Sequence, residues 1–448
     1  MDRITIDKQT TQKPSRRAFI KVAGGTLAGI TVAGVGIGAF LKPADVGGAY
    51  GQYFDKLNHT LKQTGIGRPC IVLDLDRVDH NISRVRQQLQ SPIAYRIAAK
   101  SLPSEHLIQY VLTNADTNKV MAFHQPYLGI LLNQNENIDI LLGKPLLIES
   151  VRTFFADLNP EERVHASNRI QWLVDCQPRL DNYLKLAQEL SLTLNINIEI
   201  DVGLRRGGVQ SERELGQLLQ VIHSNSQNLR FTGFMGYEAH VPYAPPVISS
   251  VEGAFAEAME TYSAFYIHGK KEFPSLFEGS LTMNSGGSKT YKMFTGGLHV
   301  NDVAAGSCMA KPSTFGILED HQPALFIAAP VLKKLKGAQL PFLDFASGLI
   351  EWWDPNMANS IYLYGGGWAA ELVSPSGVRL NGLTADPPNQ NLLPNQSLYN
   401  GSSKVPLAVG DYVFFHPHQS DSMTQFDEII VTRGSQIVDL WKPFPKRY

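Results

Sequence analysis

The stretch "TLNINIEIDVGLRRGGVQSERELGQLLQVIHSNSQNLRFTGFMGY", residues 193–237, contains one complete unit of the fold. "TLNINIEIDVG" has the apolar, β-branched composition of a buried strand. "SERELGQLLQVIHS" has the spacing of an amphipathic helix, and "RFTGFMGY" predicts a second strand. A strand, a helix and a strand at this spacing form a βαβ unit, in which the two strands lie parallel.

The same alternation extends in both directions along the chain. It places further strands at "CIVLDLDRV", "IAYRIAAK", "KVMAF", "IDILLGKP", "WLVDC", "SLTMNSGG" and "HVNDVAAG". About eight such units over roughly 230 residues favour a (β/α)₈ barrel of the TIM type. We therefore predict an α/β fold with a barrel over residues 67–321, and keep an open, doubly wound sheet as the alternative.

The pattern changes after about residue 322. "ALFIAAPVLKK", "SIYLYGGGWAAELV", "YVFFHPHQS" and "EIIVTRGSQIVDLW" predict short strands separated by turn residues. "TADPPNQNLLPNQSLYNGSSK" predicts a long loop. We therefore predict a C-terminal all-β domain over residues 322–448. Residues 44–66 predict a linker and a first helix, which can pack against that domain.

Composition excludes several classes of function. The chain has 448 residues, of which 43% are hydrophobic and 18% charged, enough for two domains with a sizeable core. A net charge of −1 gives no electrostatic case for binding nucleic acid or an anionic membrane surface. Cys70, Cys176 and Cys308 lie far apart in sequence, which predicts neither a metal cluster nor a set of disulfides.

The N-terminal segment "PSRRAFIKVAGGTLAGITVAGVGIGAFLKP" predicts an export signal. Arg16 and Arg17 precede Phe19 and Lys21, and a glycine-rich apolar run follows, as in twin-arginine signals. We therefore predict residues 1–43 to be a twin-arginine signal or anchor. The protein would then be periplasmic, or anchored at the outer face of the inner membrane. No clear cleavage site is present, so both arrangements stay open.

Candidate chemistry lies where the barrel strands end, since the loops at that face carry function in barrels. Lys100 ends "IAYRIAAK" and either extends its ammonium to the surface or presents an amine for chemistry. "NSGGS" at 284–288 and "AAGS" at 304–307 are turns of small residues, whose backbone N–H groups can hold a phosphate. An amine for an aldehyde and a cradle for a phosphate together indicate pyridoxal 5'-phosphate.

The ordered series "PCIVLDLDRVDHNI", "YRIAAKS", "EIDVGLRRGGV", "GFMGYEAH", "NSGGS", "VNDVAAGS" resembles the barrel of the alanine racemase-like, fold-type III pyridoxal-phosphate enzymes. The tail "VGDYVFFHPHQSDSMTQFDEIIVTRGSQIVDLW" is similar to that of the D-threonine aldolase and D-serine dehydratase branch. The resemblance covers roughly residues 68–442. Relatives of this type often pair two subunits, so it implies a homodimer as one arrangement.

The resemblance implies roles for individual residues. Those implied to bind the cofactor are Lys100, Arg96, Arg206, Tyr237, Asn284, Ser285, Gly286, Gly287, Ser288, Gly306 and Ser307. Lys100 is the implied Schiff-base lysine, and His240 or His418 is the implied catalytic base. In the tail, His418 and Asp421 are candidate ligands of a divalent metal, manganese or zinc. Their spacing departs from the branch by one residue, and no Cys is present.

The favoured function is a pyridoxal-phosphate lyase, an aldolase or a dehydratase, that acts on a small D-amino acid with a β-hydroxyl group. A racemase is the alternative. It needs two bases on opposite faces of the substrate, and no tyrosine of the tail clearly supplies the second. A non-catalytic protein that only binds the cofactor is a further alternative. An exported barrel that binds a sugar or another metabolite would require Lys100 to have no chemical role.

Overall fold

The computed structural model describes residues 42–339, 344–380 and 395–445. The predicted export segment therefore lies, except for its last two residues, outside the described part of the chain. Within the described ranges, no helix has the length and apolar character needed to cross a membrane. The chain begins its regular structure with helix α1 (Gln52–Gln63) and strand β1 (Cys70–Asp74).

Eight parallel strands then close a barrel, which confirms the predicted fold. They are β2 (Ala94–Ala98), β3 (Lys119–Ala122), β4 (Asp139–Leu142), β5 (Ile170–Val174), β6 (Leu194–Glu199), β7 (Leu229–Met235), β8 (Thr282–Ser285) and β9 (Asp302–Ala305). The strands follow each other in sequence order around the barrel. Closure comes from β9, which pairs in parallel with β2 in the register Ala94 with Asp302.

Helices connect the strands. They are α2 (Leu75–Gln88), α3 (Glu105–Ala115), α4 (Leu128–Leu132), α5 (Ile148–Ala156), α6 (Pro160–Arg169), α7 (Gln177–Leu190), α8 (Glu212–Ser224) and α9 (Val251–Glu272). Helix α8 shows why they form. Ser211 caps its first turn by accepting the backbone N–H of Glu214. Its buried residues Leu215, Leu218, Leu219 and Ile222 recur at helical spacing on one face.

The second domain is a nine-stranded, mostly antiparallel sheet with one short helix, α10 (Ser347–Trp353). Its later strands are β10 (Leu325–Lys336), β11 (Asn359–Tyr364), β12 (Ala370–Ser374), β13 (Arg379–Leu380), β14 (Gln396–Gly401), β15 (Tyr412–Pro417), β16 (Ile429–Arg433) and β17 (Gln436–Trp441). The path β13-β14-β11-β10-β1-β16-β17 forms the main sheet, and β15 joins it through β10. Strand β14 lies inside the segment that we predicted to be a loop.

Strand β1 corrects a second prediction, because it belongs to this sheet and not to the barrel. Val72 pairs with Phe326 of β10 and with Ile430 of β16. Helix α1 covers the same strand, and its Leu57 and Leu61 share a buried cluster with Val72. The run "CIVLD" is apolar throughout, which identifies a buried strand but not the sheet that it joins. Residues from both ends of the chain therefore build the β-domain.

Candidate active site

A cavity of about 410 Å³ opens where the barrel strands end. Its walls come from residues at or after the ends of β2, β3, β4, β6, β7, β8 and β9, and from residues 419–421 of the β-domain. These last residues belong to a 3₁₀ turn, Ser420–Gln425, that follows β15. Predicted site residues that line the cavity are Lys100, Arg206, Tyr237, Asn284, Gly286, Gly287, Ser288, Gly306, Ser307 and Asp421.

Lys100 lies in a short 3₁₀ turn, Ala99–Ser101, directly after β2. Its ammonium lies over the ring of Phe123, 4.5 Å from the ring centroid. The described residues offer its Nζ no hydrogen-bond or ion-pair partner. Burial and the nearby Arg206 lower the pKa of Lys100, while Asp421 has the opposite effect. A lowered pKa enlarges the fraction of neutral amine, the form that attacks an aldehyde.

The glycine turn after β8 is built around a buried carboxylate. Glu238 accepts hydrogen bonds from the Ser285 hydroxyl at 2.6 Å, from the Gly286 N–H at 3.1 Å, and from the Thr290 hydroxyl. Gly286 has a φ of +93°, a backbone conformation that residues with a side chain rarely adopt. Glu238 is fully buried and holds the turn from behind. The Ser285 side chain therefore supports the turn rather than lining the cavity, which corrects its predicted role as a direct ligand.

The turn after β9 is tied to the turn after β8 and to the Lys100 turn. The Ser288 hydroxyl oxygen accepts the backbone N–H groups of Gly306 at 3.1 Å and Cys308 at 3.0 Å. The Ser307 hydroxyl donates to the Ser101 hydroxyl at 2.9 Å, next to Lys100. The ends of β2, β8 and β9 thus form one hydrogen-bonded unit, which fixes the position of the lysine relative to the two glycine turns.

The donors of these turns fit a phosphate group. Ser288 and Ser307 both line the cavity, and their backbone N–H groups have no acceptor among the described residues. Asn284 also lines the cavity, and its buried Oδ1 has no hydrogen-bond partner in the described chain; as an acceptor it suits a donor of a ligand or a water molecule rather than the phosphate. Unpaired buried polar groups are rare unless a ligand or water completes them. An amine beside such turns suits a ligand that has both an aldehyde and a phosphate.

Arg206 lies over the ring of Tyr237, with 4.8 Å between the guanidinium carbon and the ring centroid. From its place in the sequence Arg206 could instead have been an ion-pair partner of Asp201, but its nearest acidic partner is Glu199 at 4.0 Å. Asp201 instead accepts the backbone N–H groups of Gly203 and Arg205. Burial and the neighbouring Glu238 raise the pKa of the Tyr237 hydroxyl.

Arg96 does not reach the cavity, which corrects its predicted role in cofactor binding. Its side chain is fully buried inside the barrel. Its Nε donates to Asp302 at 2.8 Å, and its Nη2 donates to Asp139 at 2.9 Å. Asp302 and Asp139 are the first residues of β9 and β4, so this cluster lies near the strand beginnings, below Asn284 of the cavity lining, which donates to Asp302 at 2.6 Å. Arg96 is a structural residue of the barrel interior.

His240 and His418, the two predicted catalytic bases, do not line the cavity. His240 lies against Gly203, where an added Cβ would be 3.1 Å from its Nε2. The Nε2 of His418 lies 3.8 Å from Glu371. Both assignments are corrected in that neither imidazole lines the cavity; the buried Nδ1 of His240 nevertheless has no hydrogen-bond partner among the described residues.

The predicted metal site is not assembled by the residues that the structure describes. Asp421 lines the cavity but His418 does not. No group of three or more His, Cys, Asp or Glu side chains in the described ranges is arranged to hold a metal ion. The two residues are near each other in sequence, but Asp421 faces the cavity whereas His418 lies beside Glu371.

Sequence reasoning missed two residues of the site. Glu238 lies between Tyr237 and His240 in "GYEAH". The site roles predicted for this segment were given to Tyr237 and His240 and not to Glu238. Lys289 directly follows "NSGGS" and also lines the cavity. Two signals could have identified them. Glu238 is a carboxylate at the end of a strand whose neighbour carries a glycine turn, and Lys289 is a cation one residue beyond a turn that can bind phosphate.

Residues 73–274 match the family model described as alanine racemase, N-terminal domain. That match ends before the β-domain, whereas the similarity to solved structures extends over both domains. A D-threonine aldolase from Filomicrobium marinum covers 84% of this chain and 94% of its own, with 15% identity and a TM-score of 0.62. This chain has the alanine racemase fold. No curated protein gives a significant sequence match.

Two further structures share the alanine racemase fold over the same extent. A D-threo-3-hydroxyaspartate dehydratase from Delftia sp. HT23 covers 84% of this chain and 97% of its own, with 16% identity and a TM-score of 0.61. An alanine racemase from Bacillus anthracis covers the same shares, with 14% identity and a TM-score of 0.62. At these identities the similarity establishes the fold alone, and evidence for the function has to come from the residues of the cavity.

Proposed function

We propose that this chain is a pyridoxal-phosphate-dependent enzyme that acts at the Cα of an amino acid. One observation carries the proposal. The amine of Lys100, which has no partner among the described residues, lies in the same cavity as two glycine turns with unused N–H donors. The match to the alanine racemase N-terminal domain supports it independently. When bound, pyridoxal phosphate would supply an electron sink for negative charge at Cα.

We assign a different role to each group of residues in the cavity. Lys100 offers the amine that joins the cofactor aldehyde, and after release it can carry a proton to or from Cα. The N–H groups of Ser288 and Ser307 hold the phosphate. Tyr237 supplies an aromatic wall, and Arg206 above it offers a cation for the substrate carboxylate. Residues 419–421 of the β-domain supply part of the cavity wall.

Among the reactions of this fold we favour lyase chemistry, either aldol cleavage or dehydration, on a D-amino acid with a β-hydroxyl group. The structural likeness to a D-threonine aldolase and to a D-threo-3-hydroxyaspartate dehydratase supports this choice. Racemisation is the second candidate, since it needs another base opposite Lys100 and two tyrosines, Tyr237 and Tyr243, line the cavity. Burial raises the pKa of Tyr237, which keeps its hydroxyl protonated and therefore unable to take a proton from Cα.

The test is to load the purified protein with pyridoxal phosphate, reduce it with borohydride and map the labelled peptide. We expect the label on Lys100. Lys100→Arg keeps the positive charge but should lose the label and the visible absorbance of the bound cofactor. Lys144→Arg is the matched control, because Lys144 influences Lys100 electrostatically without lining the cavity. A label that stays in Lys100→Arg would refute the proposal.

The reaction is then identified with a panel of D- and L-amino acids on the loaded enzyme. Release of an aldehyde indicates an aldolase, release of a keto acid indicates a dehydratase, and a change of optical rotation alone indicates a racemase. Bound cofactor without turnover of any amino acid would favour the non-catalytic alternative. A chelation and re-addition series with manganese or zinc examines the metal requirement separately.

We also infer export by the twin-arginine route, on the strength of Arg16 and Arg17 in the N-terminal segment. Replacing both by lysine should keep the protein in the cytoplasm, as detected by cell fractionation. Export of the doubly substituted protein would contradict the inference.

A further inference from the structure

The cavity has an excess of positive charge. Three cations line it, namely Lys100, Arg206 and Lys289. Asp421 is the one acid among the described residues of the lining. Each cation lies near an aromatic ring, with Phe123 under Lys100, Tyr237 under Arg206 and two rings beside Lys289. Arg206 also has Glu199 at 4.0 Å, whereas no described carboxylate lies within ion-pair distance of Lys100 or Lys289. Such a cavity suits a ligand that brings several negative charges.

Lys289 is held in one place by aromatic side chains. Its Nζ lies 4.9 Å from the ring centroid of Tyr243 and 4.7 Å from that of Phe315, and it donates a hydrogen bond to the Tyr243 hydroxyl. No carboxylate of the described chain lies within ion-pair distance of it. Lys292, three residues further on, differs in this respect because it pairs with Asp320.

This arrangement leaves the Lys289 ammonium ready for an anion. Contacts with aromatic rings orient a cation, but they contribute less than a charged hydrogen bond to a carboxylate. The side chain is already ordered before a ligand arrives, so less conformational entropy is lost on binding. An incoming carboxylate could therefore bind Lys289 without first displacing an acidic partner from within the described chain.

The position of Lys289 separates it from the groups that serve the cofactor. The phosphate donors are the backbone N–H groups of the two glycine turns, while Tyr243, which accepts from Lys289, is 66% exposed. The ammonium thus lies toward the rim of the cavity. Arg206 presents a planar guanidinium, the shape that binds a carboxylate through two hydrogen bonds, and suits the α-carboxylate of the substrate. Lys289 remains for a different anionic group.

We propose that Lys289 binds a second carboxylate, on the side chain of the substrate, so that the enzyme prefers acidic β-hydroxy amino acids over neutral ones. This inference rests on the proposed function and specifies its substrate class. A β-hydroxy amino acid of this class, such as 3-hydroxyaspartate, carries two carboxylates, one for Arg206 and one for Lys289. D-Serine and D-threonine carry only the first.

The test compares kcat/KM for D-threo-3-hydroxyaspartate with that for D-serine in the loaded enzyme. We expect the wild type to favour the acidic substrate, and Lys289→Gln to reduce that ratio about tenfold, the usual effect of losing one charged hydrogen bond. Lys289→Arg should recover part of the preference. Lys292→Gln is the matched control and should keep the ratio unchanged, since Lys292 lies outside the cavity lining.

A second measurement does not depend on turnover. Calorimetric titration of the cofactor-free protein with D-aspartate and with D-alanine should show tighter binding of D-aspartate, and Lys289→Gln should abolish the difference. A Lys289→Gln protein that melts at the wild-type temperature excludes misfolding as the cause. The inference is overturned if Lys289→Gln lowers the constants for both substrates equally, or if it weakens the cofactor instead, which would assign Lys289 to the phosphate.

The two proposals can fail separately. If Lys100 takes no cofactor, the proposed function fails, while the preference for D-aspartate in the cofactor-free protein still decides the role of Lys289. If Lys100 carries the cofactor and the wild type prefers D-serine, the enzyme proposal stands and the substrate inference is wrong.

Discussion

Strand β2 and the turn after it carry two cations, four residues apart, in opposite surroundings. Arg96 is fully buried and donates to the carboxylates of both Asp139 and Asp302. Lys100 faces a cavity and has an aromatic ring, not a carboxylate, beside its ammonium. A paired buried charge holds neighbouring strands together, whereas a partly buried charge without a partner is a candidate for chemistry. The difference separates the part of the barrel that maintains the fold from the part that binds a ligand.

The Arg96 cluster extends across the barrel interior. Asp139 also accepts from Lys119 at 2.8 Å and from the Gln171 amide at 2.8 Å. Burial alone would raise the pKa of Asp139, but Arg96 and Lys119 lower it well below its usual value. Asp139 therefore depends on Arg96 and Lys119 to stay ionised away from water.

Arg96→Met gives the largest expected effect. The variant leaves Asp139 and Asp302 buried without their main partner, so the free energy of unfolding should fall by about 3–5 kcal/mol, the usual cost of breaking a buried pair. Urea denaturation measures this. Lys100→Met is the counterpart at the other level of the barrel, and should unfold at or above the wild-type urea concentration because it removes no paired charge. Equal losses of unfolding free energy in the two variants would contradict the division between a structural Arg96 and a functional Lys100.

The contrast between Arg96 and Lys100 also shows what sequence can predict. The order and type of all eight barrel strands follow from local apolar periodicity, and parallel strands bring their ends together. Lys100 and the two glycine turns were therefore predictable as neighbours. The level of Arg96 along the barrel axis depends on which residues of β4 and β9 lie opposite it. That register is a tertiary property, so only the structure could correct the cofactor-binding role that the family resemblance implied for Arg96.

Loop side chains are the second group that sequence could not place. His240, His418 and Asp421 all follow strands, but the direction of each side chain depends on packing between segments far apart in sequence. Asp421 turns into the cavity, while His418 lies near Glu371. Strand β1 shows the same limit for whole elements, because its apolar run fits either sheet equally well.

Gly306→Ala examines the ligand-binding side of the comparison. A Cβ at Gly306 would lie 2.4 Å from the carbonyl oxygen of Ala98, so the turns after β2 and β9 would have to separate. We expect a loss of stability of about 1–3 kcal/mol, as for other overpacked sites, and weaker binding of pyridoxal phosphate. Gly316→Ala is the control, since no atom lies within 4 Å of the added Cβ. Unchanged cofactor affinity in Gly306→Ala would show that the turns are not fixed by their contact.

Asp421→Asn should have the smallest effect, and it addresses the Lys100 side of the comparison directly. Asp421 raises the pKa of Lys100 against the lowering effects of burial and Arg206. Removing its charge should therefore lower that pKa further, and the effect should be small because solvent screens the pair. At a given pH below the pKa, more of the amine is then neutral, so the pH at which Lys100 reacts half-maximally with pyridoxal phosphate should decrease.

The measurement is the rate of cofactor attachment to the cofactor-free protein as a function of pH, at low and high salt. Asp427→Asn is the matched control, because Asp427 lies six residues further on, is almost fully exposed and does not line the cavity. High salt should shrink the shift, since the Asp421 side chain is also exposed to solvent. No shift in Asp421→Asn, or a shift toward higher pH, would contradict the expected effect of the Asp421 charge, and an equal shift in Asp427→Asn would show that the effect is not specific to Asp421. A shift toward lower pH in Asp421→Asn alone would show that a side chain of the β-domain influences the Lys100 amine.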